Sequence, residues 1–419
     1  MMKKRTPSIL HTMVQPIEHT SESPLLGAIR SREIQNNFLD KRKHNSPADA
    51  ERFARILASE ECQSVLRDIA DGTHVFSIPI KKLVSKYGTN KKRTVYMFEE
   101  YEMMALRLIA QELYRYDDLF SDSLYSFRSG HGVQNAMNVL RHAKNLGKMY
   151  GYKTDIHDYF NSIDVSQLLP ALKKDLNDDM LYDMFERILS DNRVLFNHQI
   201  TEEAKGVMAG TPVSPFLANF YLKDMDLFFG QKDCIYMRYA DDILILADSE
   251  EKLSDLRDEL IDWVSRKGLE MNPKKEKFFA PGDTFDFLGF AINQHDIDIS
   301  PASVEKMKQS IRRTARAIRR WMLEKNAPVK GTVKAMIRKY NGKFFGYEDS
   351  DELTWSRWYF SVITTDRSLR EIDSYLQEEL RYVATGKHNK ANYRAMPYSI
   401  MKDCGYRTLV NGYHSQTED

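Results

Sequence analysis

The chain has 419 residues, of which 42% are hydrophobic and 29% charged, and its formal net charge is +1. A chain of this length and composition can bury a large core, and two or more domains are expected. No apolar stretch approaches the roughly 18 residues that cross a bilayer, and the polar start lacks the apolar core of a signal peptide. We therefore expect a cytoplasmic protein with no membrane partner. The three cysteines lie far apart and are not spaced as metal ligands, which indicates structural or incidental thiols in a reducing compartment.

Helical patterns dominate the first part of the chain. Residues 1–70 are interpreted as an N-terminal extension, in which a polar, proline-containing start precedes a predicted helix over 47–70 with Ser46 as its N-cap. Two further helices are predicted over 99–116 and 133–146. The segments that contain the candidate catalytic residues lie mainly C-terminal to these helices.

Two acidic motifs follow, each joined to an apolar segment. Residues 152–156 have strand character and deliver Asp155, and apolar runs on both sides of Tyr-Ala-Asp-Asp at 239–242 predict a hairpin with two carboxylates at its tip. Strands disfavour Asp, and adjacent like charges beside apolar sequence cost free energy unless a positive charge compensates them. The hairpin therefore needs either solvent or a cation.

The two alternatives for this hairpin are a solvated turn, which Asp favours, and a metal site. The second acidic motif favours the metal site, because carboxylates from Asp155, Asp241 and Asp242 are hard oxygen ligands suited to Mg²⁺. Two such ions are able to activate an attacking hydroxyl and to stabilise a leaving pyrophosphate.

A strongly basic segment lies between residues 303 and 343. It contains thirteen Lys or Arg residues against two Glu, a local balance of +11. Apolar residues recur at steps of three and four over 304–318, which predicts a helix with its cations on other faces. Such a face is either merely solvated or binds nucleic acid.

Several segments resemble, in order, the motif blocks of reverse transcriptases of the bacterial lineage related to group II intron enzymes. The resemblance covers about half of the chain. Chance is an unlikely explanation, because several independent blocks occur in the order found in the family. Besides Tyr-Ala-Asp-Asp, the matching blocks are Arg-Thr-Val-Tyr at 93–96, Ser-Phe-Arg-Ser-Gly-His-Gly at 126–132, Asp155 with Phe160, Gly-Thr-Pro-Val-Ser-Pro at 210–215, Gly-Leu-Glu-Met-Asn-Pro-Lys-Lys at 268–275 and Phe-Leu-Gly-Phe at 287–290.

The resemblance implies a mixed α/β (α+β) protein with the right-hand polymerase fold, which has helical fingers, a palm with an antiparallel sheet and a helical thumb. The boundaries that it implies are an N-terminal extension over 1–70, interleaved fingers and palm over 71–300, a basic thumb over 301–345 and a C-terminal helical segment over 346–419.

The resemblance also implies a metal centre with two Mg²⁺ ions, for which Mn²⁺ is an alternative. Asp155 and Asp241 would each reach both ions, Asp242 would have a more peripheral place, and Ile156 would offer its backbone carbonyl as a ligand. Lys275 is the candidate to protonate the leaving pyrophosphate, with the adjacent lysines as alternatives.

Further residues are implied to bind the incoming nucleotide. Arg93 would hold the triphosphate by a charge-assisted fork, with a point charge added by Lys86 or a neighbouring lysine. Phe160 would lie under the deoxyribose and exclude a 2′-hydroxyl, the alternative being an ordinary core aromatic. Ala209 departs from the family, which commonly has Gln before Gly210, and this puts family-typical fidelity and processivity in doubt.

The basic helix takes the place of the thumb in the family, which grips a duplex backbone by sequence-independent, salt-sensitive contacts. The residues that would make those contacts are Arg312, Arg316, Arg319 and Arg320.

The implied function is RNA-directed DNA synthesis, with deoxynucleoside triphosphates as substrates, an RNA template and a cDNA product. Elimination of other bacterial lineages favours an anti-phage defence enzyme whose RNA partner is a structured non-coding RNA. A retron-like or diversity-generating enzyme and a template-independent DNA polymerase are the alternatives. Phe160 disfavours an RNA-dependent RNA polymerase, and the intact aspartates argue against a non-enzymatic RNA-binding scaffold. The oligomeric state is not indicated by the sequence.

Overall fold

The computed structural model describes residues 22–85, 92–346 and 354–417. Within these ranges the strands are β1 (Ile80–Ser85), β2 (Lys92–Met97), β3 (Tyr150–Asp155), β4 (Arg193–Phe196), β5 (Gln199–Glu202), β6 (Ile235–Tyr239), β7 (Asp242–Ala247), β8 (Lys277–Phe279), β9 (Phe285–Phe287), β10 (Phe290–Ile292) and β11 (Ile297–Ile299). They form a central sheet in the order β6-β7-β3-β8, an outer sheet β2-β1-β4-β5 and a small sheet β11-β10-β9. All pairs of the central sheet are antiparallel, as predicted.

The helices before β3 are α1 (Pro24–Ala28), α2 (Arg32–Asn45), α3 (Pro47–Leu57), α4 (Glu60–Ala70), α5 (Glu100–Glu112) and α6 (Val133–His142). The prediction of one helix over 47–70 is wrong, because the chain breaks at Ala58 and Ser59. The Ser59 hydroxyl accepts a hydrogen bond from the backbone N–H of Cys62 at 3.3 Å and thereby begins a second helix. The other two predicted helices are present but end earlier, at Glu112 and His142, where 3₁₀ or extended backbone follows.

The helices between β3 and the small sheet are α7 (Tyr159–Ser162), α8 (Val165–Leu176), α9 (Asp179–Ser190), α10 (Ser214–Tyr221), α11 (Lys223–Gly230) and α12 (Glu250–Arg266). The α12 helix packs across β3 and β7. It begins after Ser249, whose side chain caps the Lys252 N–H at 3.2 Å, and Leu253, Leu256 and Leu260 form its buried face. This helix therefore supports the two strands that carry the acidic motifs.

The β7 strand is shared between two hydrophobic cores. Ile243 and Ile245 belong to the core that contains the N-terminal helices and α12, whereas Leu244 and Leu246 belong to the core that contains α6, the small sheet and the C-terminal helices. Alternate residues of a strand point to opposite faces, so a continuous apolar run indicates burial on both sides. The apolar sequence after Asp242 is therefore explained by a strand covered on both faces.

The C-terminal helices are α13 (Pro301–Glu324), α14 (Val329–Phe345), α15 (Trp355–Tyr359), α16 (Arg367–Thr385), α17 (Asn392–Ala395), α18 (Tyr398–Asp403) and α19 (Leu409–Thr417). The helix predicted over 304–318 is confirmed as part of α13, whose residues Val304, Met307 and Ile311 are buried. Both α14 and α16 pack against α13. Of the helices in the three described ranges, none is both long and apolar enough to cross a membrane.

Candidate active site

The three predicted catalytic aspartates lie at one edge of the central sheet. Asp155 is the last residue of β3 and lies directly opposite Asp242, the first residue of β7. The backbone N–H of Ile156 donates to the Asp241 carbonyl at 3.1 Å, which ties the end of β3 to the hairpin tip. The structure thus brings together four residues from two distant parts of the sequence: Asp155, Ile156, Asp241 and Asp242.

The hairpin tip is a two-residue turn. Tyr239 pairs with Asp242, so Ala240 and Asp241 form the turn between β6 and β7. Ala240 has φ of 55°, in the left-handed region. Two-residue hairpins favour a positive φ at this position because it matches the strand twist, but a residue other than glycine pays about 1–2 kcal/mol for it. Surrounding contacts must therefore hold the turn in place.

Burial and mutual repulsion act on the hairpin carboxyl groups. Burial raises the pKa of Asp241, and the charge of Asp155 raises it further. Burial likewise raises the pKa of Asp242, where the charge of Lys153 opposes the shift and that of Asp241 adds to it. These aspartates are therefore destabilised as anions by their own surroundings, and a cation bound between them would relieve the repulsion.

Lys275 supplies one positive charge to this cluster. Its ammonium group contacts Asp155 Oδ2, and its backbone N–H donates to the Asn272 carbonyl at 2.9 Å. Burial lowers the pKa of Lys275, but the hydrogen bond and charge of Asp155 outweigh burial and raise it. The predicted general acid is therefore protonated and in contact with a carboxylate that is predicted to be catalytic.

The chemistry of the cluster fits a divalent cation. The second oxygen of Asp155, Oδ1, is buried and has no hydrogen-bond partner among the described residues. Buried polar atoms without partners are rare, and a hard cation satisfies a carboxylate oxygen of this kind. The side chains do not converge as a ready ligand shell: within the described ranges no group of three or more His, Cys, Asp or Glu residues is close enough to hold an ion. The carboxylate oxygens of this cluster are nevertheless the kind of ligand that a divalent cation binds. The Lys275 ammonium group contacts the cluster at Asp155.

Phe160 lies in the short helix α7, which follows the aspartate that ends β3. Its ring is half-buried and is 6.3 Å from that of Phe127 in an edge-on arrangement. The adjacent Tyr159 is buried, and its hydroxyl donates to the Ala218 carbonyl at 2.5 Å. Tyr159 is therefore the buried aromatic of this pair, whereas Phe160 packs against the same core and keeps part of its surface accessible.

Ala209 and Gly210 lie against a strand of the outer sheet. The Ala209 carbonyl accepts from the Tyr96 N–H at 2.8 Å, and the Ala209 N–H donates to Asn161 Oδ1 at 3.3 Å. Gly210 has φ of 105°, and a Cβ there would meet the Val95 Cβ at 3.0 Å. Glycine is thus required for this close approach of backbone to β2.

Arg93 is exposed on β2, and its charge is among those that lower the pKa of Asp241. The structure thus brings this cation within electrostatic range of the acidic cluster. Lys86, the second cation predicted to bind the triphosphate, lies outside the described residues.

The four predicted nucleic-acid-binding arginines of α13 fall into two groups. Arg312 Nε donates to the Tyr375 hydroxyl at 2.8 Å, and Arg319 Nη1 donates to the Val383 carbonyl at 2.8 Å, so both contact α16. The remaining two are exposed and form no ion pair with the described residues: Arg316 and Arg320. Only the second group can meet a ligand without breaking contacts within the chain.

Sequence analysis missed a set of buried polar residues behind the hairpin. Arg238 is fully buried in β6 and pairs with Asp226, while Ser126 and Asn219 bond to each other nearby. One signal was available, because a charged residue within an apolar strand needs a buried partner. Ser126 begins the matching block at 126–132, but that block gave it no role, and no local pattern identifies Asn219.

Comparison with known proteins identifies the class. Residues 84–292 match the family model described as reverse transcriptase (RNA-dependent DNA polymerase). The chain belongs to the reverse transcriptase family, and its architecture is the right-hand polymerase fold. The matched residues include all four strands of the central sheet.

Two curated relatives and two solved structures illustrate the similarity. The chain is 25% identical over 234 residues to the retron Ec86 reverse transcriptase of Escherichia coli, a match covering 54% of this chain and 67% of that protein. It is 23% identical over 176 residues to the group II intron-encoded protein LtrA of Lactococcus lactis subsp. cremoris, covering 41% of this chain but only 28% of LtrA.

The structure of telomerase from Candida albicans, in complex with a TWJ fragment of telomeric RNA, has 12% sequence identity to this chain and a TM-score of 0.42. The match covers 82% of this chain and 65% of the telomerase chain. Apo telomerase from Candida tropicalis has 12% identity and a TM-score of 0.44, covering 78% and 68%.

Proposed function

We propose that this chain is an RNA-directed DNA polymerase that extends a primer with deoxynucleoside triphosphates on an RNA template to form cDNA. The observation that carries the proposal is the meeting of Asp155, Asp241 and Asp242 at one end of the central sheet, which we assign as the palm. One oxygen of Asp155 there is buried and has no hydrogen-bond partner among the described residues. In a reverse transcriptase domain, a group of three carboxylates at this place is suited to binding the divalent ions that nucleotidyl transfer requires.

The side chains have different roles in this reaction. Asp155, Asp241 and Asp242, with the Ile156 carbonyl, would hold the divalent ions. Two Mg²⁺ ions, or Mn²⁺ in their place, supply Lewis-acid activation of the primer hydroxyl and neutralise charge on the leaving group. The protonated Lys275 lies beside Asp155 and can deliver a proton to the departing pyrophosphate oxygen.

The fingers and the palm would bind the nucleotide from two sides. Arg93 on β2 would form charge-assisted hydrogen bonds to the triphosphate, with Lys86 as a second cation. Phe160 would lie beneath the sugar and exclude a 2′-hydroxyl by shape. The Ala209 and Gly210 backbone, held against β2 by the Tyr96 hydrogen bond, would form the adjoining wall.

The direct test is incorporation of labelled deoxynucleotides by the purified full chain on an RNA template with an annealed DNA primer. We expect Mg²⁺-dependent extension whose product sequence is complementary to the RNA. Extension without template would instead support a template-independent polymerase, and a preference for ribonucleotides would support an RNA polymerase. A well-folded chain that binds RNA but incorporates no nucleotide under any of these conditions would support the scaffold alternative.

We further propose that the template is a structured non-coding RNA and that the enzyme acts in bacterial anti-phage defence. The similarity to a retron reverse transcriptase supports an RNA-linked bacterial role, and the same similarity keeps a retron-like function as the second candidate. Sequencing the RNA that co-purifies with the chain, together with the DNA made in cells, tests both. Random cellular RNA in the complex would contradict a dedicated template.

The exposed arginines of α13 lead to a prediction about salt dependence. Replacing Arg316 and Arg320 together by Gln should weaken primer-template binding for all sequences. It should also flatten the log-log dependence of affinity on salt by about one unit for each phosphate group that the protein no longer neutralises. The measurement is fluorescence anisotropy of a labelled RNA–DNA duplex at several salt concentrations.

Arg319→Gln is the matched control for this prediction. Its guanidinium is bonded to backbone carbonyls of α16, so its loss should lower thermal stability and leave the salt slope nearly unchanged. An unchanged slope in the Arg316 and Arg320 double variant would assign the nucleic acid to another surface.

A further inference from the structure

The strained residue of the catalytic turn is held at both of its backbone polar groups by side chains. The Ala240 N–H donates to Ser126 Oγ at 2.9 Å, and the Ala240 carbonyl accepts from Arg238 Nη1 at 3.1 Å. Both side chains are fully buried. Ala240 has the left-handed φ of 55° on which the direction of the following aspartates depends. Two buried side chains thus bind the backbone of Ala240, the residue of the turn whose positive φ is unfavourable for alanine.

Arg238 is fixed by an ion pair beneath the turn. Its Nε and Nη2 atoms donate to the two carboxylate oxygens of Asp226 at 2.7 and 2.5 Å, and Nη2 also donates to the Asn219 carbonyl at 3.3 Å. The Tyr236 hydroxyl adds a third hydrogen bond to Asp226, at 2.8 Å. A planar guanidinium held by two parallel bonds has little rotational freedom, so its remaining N–H group points in a fixed direction.

Ser126 is fixed in a similar way from the neighbouring segment. Its hydroxyl donates to Asn219 Oδ1 at 3.2 Å, and Asn219 Nδ2 donates back to the Ser126 carbonyl at 2.8 Å. Because the hydroxyl proton is directed at Asn219, an oxygen lone pair is left for the Ala240 N–H. The segment before Ser126 is itself bonded to β6, since the Tyr125 N–H donates to the Arg238 carbonyl at 2.9 Å.

We propose that Ser126 and Arg238 are positioning residues, which hold Ala240 in its left-handed conformation and thereby direct Asp241 and Asp242 toward Asp155. This inference rests on the proposed polymerase function of the aspartates. Neither residue touches the reacting atoms. Without the Ser126 hydroxyl, the turn loses the partner of a buried N–H group and relaxes toward a conformation that alanine prefers. Asp241 and Asp242 then shift relative to Asp155, and the ions that these residues would hold bind more weakly.

The test uses Ser126→Ala in the full chain. We expect kcat for deoxynucleotide incorporation to fall by about 10- to 100-fold, as a small misplacement of catalytic groups does, with little change in KM for primer-template. We expect the Mg²⁺ concentration for half-maximal rate to rise by about 10-fold, in line with the effect of removing a group that orients metal ligands. Titration of Mn²⁺ into the protein with bound primer-template, followed by electron paramagnetic resonance, gives the same comparison without turnover.

Adding Ala240→Gly to the Ser126→Ala variant should restore part of the lost activity, which would not happen if Ser126 only stabilised the fold. Glycine adopts positive φ without penalty, so the Ser126→Ala change should cost several-fold less in the Ala240→Gly background than in the wild-type background. Ser356→Ala, a buried serine in α15, is the control for loss of a buried hydroxyl and should leave the Mg²⁺ dependence unchanged. If Ser126→Ala does not fold, Ser126→Cys keeps the volume with a weaker acceptor and is measured in its place.

The outcomes separate the two proposals. An active wild-type enzyme whose Ser126 variants keep normal kcat and normal Mg²⁺ dependence would overturn the positioning role alone. A fall in kcat that is equal in both backgrounds would overturn it as well, because the effect would not act through the turn. A wild-type chain that incorporates no nucleotide would overturn the polymerase function, while the Mn²⁺ titration would still compare ion binding in the variants.

Discussion

Replacing Asp241 and Asp242 together by Ala is expected to reduce nucleotide incorporation by more than about 1,000-fold while leaving the fold intact. Asp241 and Asp242 are half-buried beside Asp155, and their partial burial together with charge repulsion raises the pKa of each. Their removal therefore takes unfavourable charge out of the folded apoprotein, and its melting temperature should stay the same or rise. The stability that bound divalent ions add should be lost in the variant.

The measurement combines primer extension on RNA with thermal unfolding at increasing Mg²⁺ concentration. Replacing Asp255 and Asp262 by Ala, two exposed aspartates of α12, makes the same change in net charge away from the acidic cluster and should leave activity near the wild-type level. Wild-type incorporation by a well-folded Asp241 and Asp242 variant would refute the assignment of these residues.

The second large effect concerns sugar selection by Phe160. If its half-buried ring lies beneath the sugar, Phe160→Val should open space for a 2′-hydroxyl. The use of ribonucleotides relative to deoxynucleotides should then rise by at least the ~10-fold that 1.4 kcal/mol of relieved clash gives. The quantity to compare is the ratio of kcat/KM for a ribonucleotide and its deoxy counterpart on one RNA template, because this ratio cancels a general loss of activity.

Tyr159→Phe is the matched control from the adjacent position. It removes the buried hydrogen bond to Ala218, so it should lower thermal stability and change both efficiencies together. A ratio that stays constant in Phe160→Val would make Phe160 a packing residue. A wild-type enzyme that already prefers ribonucleotides would contradict the proposed DNA polymerase activity as a whole.

Sequence patterns identified the features of this protein that are local. The acidic hairpin and the strand ending at Asp155 follow from apolar runs interrupted by carboxylates, and the apolar spacing over 304–318 gives the buried face of α13. The break between α3 and α4 was also predictable, because Ser59 is followed by two glutamates that suit a helix start.

Other features depend on packing between distant segments. Arg312 and Arg316 look equivalent in the sequence, and only the packing of α16 onto α13 engages one and leaves the other exposed. The bond between Ser126 and Asn219 joins positions 93 residues apart, and neither belongs to a periodic pattern. Periodicity reports which face of an element is buried, but it does not report which distant residue satisfies a buried polar group.

The sharing of β7 between two cores also bears on how enzymes of this architecture diverge. Its odd-numbered residues belong to the core that includes α12, and its even-numbered residues belong to the core that includes the C-terminal helices. A substitution that suits a new arrangement on one side therefore leaves the packing on the other side unchanged. The C-terminal helices can therefore change over evolutionary time while the strand that begins at Asp242 keeps its register through the opposite face.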